Sequence, residues 1–345
     1  MGTSIQKLLR PNIASFKAYS SARQEFDGKD MIFLDANENP NENEVNRYPD
    51  PQADSLRKIL SFRNKVSNQQ VVIGNGSDEI LDLIIRAFVS PGKEGMLSLK
   101  PSYGMYKVLA ELNDVFLDEV AFEDNFDINI DNLLSAVRPE TKLMLLCSPN
   151  NPTGKSMSLD QIESLLDSFR GIVVVDQAYI DFSDTPSATS ILTRQPRLIV
   201  SQTLSKAYGM AGLRVGYAIA SPEIIKVLNA IKPPYNVNTL SQLKAIEILK
   251  DKDRYIAQVS ESNKERDFLL KALKYVSIVK NVYPSDANFI LFEVDNAKLR
   301  YNQLKSQGIV VRNRDKDYGC KNCLRVSIGL PEQNIKFIKT LKSLK

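Results

Sequence analysis

Lys206 stands in the run Ser201–Tyr217, SQTLSKAYGMAGLRVGY, with Thr203 and Ser205 just before it and Arg214 eight residues on. An amine that is to form a Schiff base must sit beside a fixed anion site that holds the other end of a bound carbonyl compound. Two hydroxyls and a guanidinium fork suit phosphate oxygens, and Ala207, Gly209, Ala211 and Gly212 leave room for close approach. A lysine taken alone is by default a solvated surface residue; this surrounding argues against that default. Asp176 closes the apolar run IVVV at 172–175. A carboxylate at the C-terminal end of a buried parallel strand can hold a ring cation, or it can cap the next helix, and alone it does not separate the two. Ser148–Gly154, SPNNPTG, is a rigid turn in which Asn151 can donate to an anionic oxygen, although turn chemistry also explains its Pro and Gly. Gly74–Glu79, GNGSDE, opens a helical pattern whose first N–H groups, at Ser77 and Asp78, can form an anion site, although most Gly-rich turns before helices bind nothing. Tyr103, in PSYGMY, can stack on a planar ring or serve as core.

What is missing narrows the chemistry further. The 345 residues contain no histidine, which removes Ser-His-Asp and Cys-His nucleophile systems, histidine-ligated zinc and imidazole acid–base catalysis. Lysine, tyrosine and carboxylates must move the protons. Three cysteines, Cys147, Cys320 and Cys323, are too few for a disulfide framework, and without histidine they fall short of a structural zinc set, so no metal is expected. Net charge is +4, with basic residues scattered and no polybasic run, so nucleic acid is not indicated. No apolar run reaches the length of a membrane span and the N-terminus lacks a secretory h-region, which points to a cytoplasmic protein.

The elements that must position these residues are legible in the pattern. Apolar residues at 80, 81, 84, 85 and 88 predict a helix over 77–89. Strands are expected at 95–99, 115–120, 142–147, 172–175 and 197–201, with helices over 103–112 and 158–169 between them. A short helix is expected near 15–24. This alternation predicts an α/β fold, a mostly parallel sheet flanked by helices. Near residue 231 the pattern shifts to a long charged amphipathic stretch over 241–276. Strands at 287–294, 309–312 and 324–328 and a helix over 332–344 follow. The expected organisation is an N-terminal arm (1–30), a large domain (31–231) and a smaller α+β domain (232–345).

In their order, SPNNPTG, VVVDQAY and TLSKAYGMAGLRVGY resemble the fold-type-I pyridoxal-phosphate-dependent transferases, and the class I and II aminotransferases among them, over nearly the whole chain. The closer resemblance is to the histidinol-phosphate aminotransferases. It is carried by FKAYSSARQEF at 16–26, LDANENP at 34–40, RYPDP at 47–51, GNGSDEIL, YPSDANFILF at 283–292, and IVVRNR through CLRVSIG. The resemblance implies pyridoxal 5'-phosphate on Lys206, Asp176 at its ring nitrogen, Asn151 and Tyr179 at its 3′-oxygen and Tyr103 over the ring. Ser77, Asp78, Thr203, Ser205 and Arg214 would surround its phosphate, and Tyr48 would reach that phosphate from the neighbouring subunit of a homodimer. Arg312 and Arg325 would bind substrate anions, with Tyr19 and Asn37 nearby. The implied reaction exchanges the amino group between L-histidinol phosphate and 2-oxoglutarate, giving imidazole-acetol phosphate and glutamate, a step of histidine biosynthesis. A threonine-phosphate decarboxylase and an aromatic aminotransferase share the cofactor motifs and are the alternatives. The segment between LDANENP and RYPDP, NENEVN, is shorter than that family usually carries, so the loop around Asn37 departs from its pattern.

Borohydride treatment of the cofactor-loaded protein should fix the cofactor covalently on Lys206, as peptide mass analysis would show. Lys206→Ala turning over at the wild-type rate would rule out this chemistry.

Overall fold

The structure, a computed structural model, describes residues 4–17 and 32–344. A helical turn α1 (Pro11–Ala14) precedes α2 (Asp54–Arg63), β1 (Val71–Asn75) and α3 (Ser77–Phe88). Then come β2 (Gly95–Lys100), α4 (Met105–Leu112), β3 (Phe116–Ala121), α5 (Ile130–Ser135) and β4 (Thr141–Cys147). α6 (Leu159–Ser168), β5 (Ile172–Asp176), β6 (Leu198–Thr203), β7 (Val215–Ala220) and α7 (Pro222–Ile231) complete the larger layer. Its seven strands lie in the order β1-β7-β6-β5-β4-β2-β3. The expected α/β architecture is present. β3, β2, β4, β5 and β6 are parallel neighbours, while β7 runs antiparallel to both β6 and β1.

β4 and β5 are buried along almost their whole length, as apolar runs covered on both faces must be. Alternate residues serve opposite faces. Met144, Leu146, Val173 and Val175 enter one core with α2 and α6, whereas Leu143, Leu145, Ile172 and Val174 enter the other with α3, α4 and α7. α3 shows how a local pattern becomes packing. Gly76 takes φ +85° ahead of it, Asp78 and Glu79 lie in its first turn, where the helix dipole favours acids, and Ile80, Leu81, Ile84, Ile85 and Phe88 are buried.

The expected amphipathic stretch over 241–276 is two helices, α8 (Thr239–Lys250) and α9 (Lys252–Leu273). Asp251 separates them, its carboxylate accepting from Arg254 N at 3.0 Å as the cap of α9. α8 buries Ala245 and Leu249 in the same core as Leu56 and Leu60 of α2, so the chain just beyond residue 231 still packs on the larger layer. A second core begins with Leu269 and Leu273 at the end of α9. It continues through β8 (Val279–Val282), β9 (Phe289–Val294), α10 (Ala297–Ser306), β10 (Arg312–Asn313), β11 (Cys323–Ser327) and α11 (Pro331–Ser343). These strands form an antiparallel sheet in the order β10-β11-β9-β8. The strand expected at 309–312 is reduced to β10. Residues 15–17 of the helix expected near 15–24 are not helical, and the rest of it lies outside the described residues. Ile5 and Leu9 are buried against α3 and its neighbours, so the start of the expected arm is packed on the larger layer. No helix among the described residues is long and apolar enough to cross a membrane.

Gly216 in β7 touches the start of α3 so closely that an added Cβ would lie 2.2 Å from Ser77 N. Gly216→Ala should therefore cost about 1–3 kcal/mol of stability in denaturant unfolding. Gly212, with nothing within 4 Å, should accept alanine with less than about 0.5 kcal/mol of change.

Candidate active site

Sheet order brings the candidate residues to one edge. β6, β5 and β4 are neighbours whose C-terminal ends deliver Thr203, Asp176 and Cys147 side by side, with Lys206 and the SPNNPTG turn just beyond. Because β7 runs the other way, its beginning lies at that same edge, with Val215 opposite Asn75 and Gly216 opposite Thr203. Arg214, the start of α3 and Thr203 thus meet, although they are far apart in sequence. One cavity is lined by Ser77, Asp78, Tyr103, Asp176, Tyr179, Thr203, Ser205, Lys206 and Arg214, together with Cys147 and Ala178.

At one end of this cavity the N-terminus of α3 faces Thr203, Ser205 and Arg214. Thr203 Oγ1 lies 3.0 Å from Ser205 Oγ and accepts from Ser205 N at 3.1 Å. Arg214 adopts φ +54°, and a Cβ on Gly76 would lie 2.6 Å from its Nη2. A side chain at Gly76 would be strained at φ +85° and would push that guanidinium away from the helix start. The Asp78 carboxylate is drawn aside, accepting from Tyr103 Oη at 3.2 Å and lying 3.7 Å from Arg214 Nη2. Its backbone N–H is left as the group suited to an anion.

At the other end Asp176, only 2% exposed, accepts from Tyr106 Oη at 2.9 Å and from Ala178 N at 3.2 Å. Burial pushes its pKa up to about 6, against the pull of those two donors. A ring cation placed beside it would reverse that shift. Between the two ends, the Lys206 amine lies 5.5 Å from the centre of the Tyr179 ring. Lys206 is exposed to the open cavity, yet the walls desolvate its ammonium and lower its pKa. The Arg325 charge adds to this.

Asn151 Nδ2 lies 3.4 Å from Tyr179 Oη, so the two can face one oxygen together. Arg325 reaches the same place from the smaller sheet: its guanidinium donates to Asn151 Oδ1 and packs 5.0 Å from the Phe289 ring centre. Arg312 sits directly opposite Arg325 across the β10–β11 pair. The carboxylate of Asp317, on the intervening turn, pairs with Arg314. Tyr48 and Asn37 do not line the Lys206 cavity of their own chain. They line a separate hollow with Asn238 and Leu240, where Tyr48 stacks on Tyr235 at 4.6 Å. Tyr19 lies outside the described residues.

Sequence reasoning missed Tyr106 and Cys147. Tyr106 had a signal: it follows Tyr103 by three residues in PSYGMY, one helical turn on, so it belongs beneath the same site. Cys147 had only its place in an apolar run. It is buried beside Asp176, and desolvation raises its thiol pKa, which marks it as packing.

The donor set fits pyridoxal phosphate. A cationic and hydroxyl-lined cup, an amine, a phenol and a buried carboxylate line one cavity, with the Asn151 amide 3.4 Å from that phenol, and these groups suit a phosphate, an aldehyde, a ring oxygen and a ring nitrogen. Comparison with known proteins agrees with this chemistry. Residues 27–339 match the model of the family described as aminotransferase class I and II. The chain is 50% identical to a histidinol-phosphate aminotransferase of Christiangramia forsetii, with 99% of this chain and 98% of that protein covered. It is 51% identical to the one of Flavobacterium johnsoniae over the same shares. A crystal structure of the histidinol-phosphate aminotransferase from Clostridium acetobutylicum superposes with a TM-score of 0.80 at 26% identity. That match covers 86% of this chain and 90% of that one.

Asp176→Asn should raise the melting temperature of the cofactor-free protein at pH 7, because the amide buries no charge, its oxygen still accepts from Ala178 N and its Nδ2 can donate to Tyr106 Oη in place of the carboxylate's acceptance. The folded pKa, about 6, lies above the ordinary 3.8. Wild-type stability is thus full below pH about 4 and falls as pH rises through about 6. The two proteins should melt alike near pH 4 and diverge by pH 7, and pyridoxal phosphate should stabilise the wild type far more than the variant. Identical melting curves across this range would mean that Asp176 buries no charge.

Proposed function

The chain belongs to the class I and II aminotransferases, which depend on pyridoxal phosphate, and from that premise we propose that it exchanges the amino group between L-histidinol phosphate and 2-oxoglutarate. The observation that carries this reading is the cross-strand pair Arg312 and Arg325. Two guanidinium groups on facing strands, one anchored at Asn151, suit a substrate with a doubly charged phosphate beside its amine. The relatives' names supply the rest of that substrate's identity.

The bound cofactor supplies an electron sink for the pair left when the substrate's Cα–H bond breaks. The chain's own residues do the rest. The helix start at Ser77–Asp78, with Thr203, Ser205 and Arg214, holds the phosphate. Asp176 keeps the ring nitrogen protonated, and Asn151 and Tyr179 orient the ring oxygen, while Tyr103 covers the ring. Lys206 Nζ takes the Cα proton and retains it for return. A lysine can act as base near neutral pH when its pKa is lowered, and burial and Arg325 lower it here. Arg325 aligns the anion next to the reacting carbon, and Arg312 contributes the second charge.

The active unit in this reading is a homodimer. Tyr48, 50% exposed, lies away from its own Lys206 cavity and would complete a partner's phosphate cup. Leu240 and Leu243 are exposed on the neighbouring α8, an apolar patch that a second copy would cover. Tyr19 and Asn37 are proposed to line the substrate entrance. A cytoplasmic setting suits the three free cysteines.

Arg312→Ala should raise KM for histidinol phosphate at least about tenfold, roughly 1.4 kcal/mol of binding, and affect glutamate much less. Equal losses for both donors, or a wild-type preference for phenylalanine over histidinol phosphate, would favour an aromatic aminotransferase.

A further inference from the structure

Behind the Lys206 turn lies a second polar cluster that the reaction as described does not use. Tyr255, on the first half of α9, donates its hydroxyl to Asp181 Oδ1 at 2.6 Å. Its ring stacks on Tyr208 with centres 4.5 Å apart and planes 11° apart. The Arg63 guanidinium, from α2, lies 4.9 Å from the Tyr255 ring centre and 5.1 Å from that of Tyr208. Tyr208 follows Lys206 by two residues, and Asp181 follows Tyr179 by two. Each is rigidly joined to the residue it follows. Gly209 N donates to Lys206 O at 3.0 Å and Met210 N to Leu204 O at 3.0 Å, closing the lysine turn. Phe182 N donates to Tyr179 O at 3.1 Å, closing the other.

We propose that Tyr255 is a positioning residue for Lys206: its hydroxyl and ring clamp, respectively, the turn that carries Tyr179 and the turn that carries Lys206. This rests on Lys206 holding the cofactor and is independent of which amino donor is used. The amine and the ring it overlies, 5.5 Å apart, are set by two turns distant in sequence, and Tyr255 bonds to one and stacks on the other. The carboxylate it binds is largely desolvated, which raises its pKa against the pull of the Tyr255 hydroxyl. A desolvated carboxylate that loses a donor must shift or take up a proton. Only Leu269 and Leu273 of α9 are buried, both near its far end, so Tyr255, with Val259 packed beside it, anchors the helix's first half. Because α9 runs on into the smaller sheet's core, the clamp also ties the element bearing Arg325 to the lysine turn.

The test compares Tyr255→Phe, which keeps the ring and loses the donor, Tyr255→Leu, which loses both, and Asp181→Asn, whose amide oxygen still accepts from Tyr255. Each is loaded with pyridoxal phosphate, and the visible absorbance of the lysine-bound cofactor is titrated with pH alongside glutamate kinetics and melting. The absorbance midpoint should move by about half a pH unit in Tyr255→Phe and further in Tyr255→Leu. The kcat should fall about tenfold and about a hundredfold, the scale set by small misplacements of a reacting group. KM for glutamate should stay within about twofold, and Asp181→Asn should keep kcat within about threefold of wild type. Tyrosine variants that melt lower but keep the wild-type midpoint and kcat would overturn the proposal, as would an Asp181→Asn loss equal to that of Tyr255→Phe. A wild-type protein whose absorbance does not depend on Lys206 would overturn the cofactor reading as well, and so separates the two failures.

Discussion

Asp176 carries a carboxylate at the end of a central strand, almost wholly shielded from water, with one tyrosine hydroxyl and one backbone N–H as its donors. Holding an ionised carboxylate in such a place costs several kcal/mol unless a cation joins it, and much of the surrounding architecture bears on that requirement. The apolar runs of β4, β5 and β6 exclude water from both faces of the sheet. α4 crosses one face and delivers Tyr106 to the buried oxygen. The carboxylate's raised pKa without a partner is the other side of its fitness for a ring cation: a group that is poorly satisfied alone gains most from the ligand that completes it.

The anion end of the cavity depends on a different constraint, the reversal of β7. Were all seven strands parallel, Arg214 would emerge at the opposite edge of the sheet from Thr203 and the start of α3. Running antiparallel to β6 and β1, β7 starts where they end, so one guanidinium, two hydroxyls and a helix N-terminus converge. Two glycines make this approach possible. Gly216 leaves room for the first N–H of α3, and Gly76 takes a left-handed conformation against Arg214. Lys206 lies between this cationic cup and the buried carboxylate, where desolvation and Arg325 favour its neutral form.

The smaller sheet reaches the site through one residue in particular. β11 places Arg325 against Asn151, a residue of the larger layer's SPNNPTG turn, and β10 places Arg312 across from it. α9 connects the layers mechanically, with Tyr255 at one end among residues of the lysine turn and Leu269 and Leu273 at the other in the second core. The Arg312–Arg325 pair therefore sits on strands of one sheet and the Lys206 turn just beyond a strand of the other, and contacts such as Arg325 to Asn151 link them.

Residue types and their spacing point to the chemistry and to the frame that carries it. Lys206 among hydroxyls and small residues, the absence of histidine, and apolar runs alternating with helical spacing were enough to indicate an α/β Schiff-base enzyme with an anion cup, because these are local properties of residue type and period. The antiparallel turn of β7 was not legible, since VVIGN and VGYAIA are short apolar runs that fit either direction, and direction is a property of pairing. The split of 241–276 at Asp251 had a local signal in a capping residue, but charge on most faces of both helices blurred it. Tertiary structure alone decided which distant residues share an environment. It put Tyr106 under Asp176, set Arg312 opposite Arg325, and left Tyr48 and Asn37 apart from their own chain's cavity. Burial, pKa and partnership are sums over neighbours, and neighbours more than a few residues apart are chosen by packing.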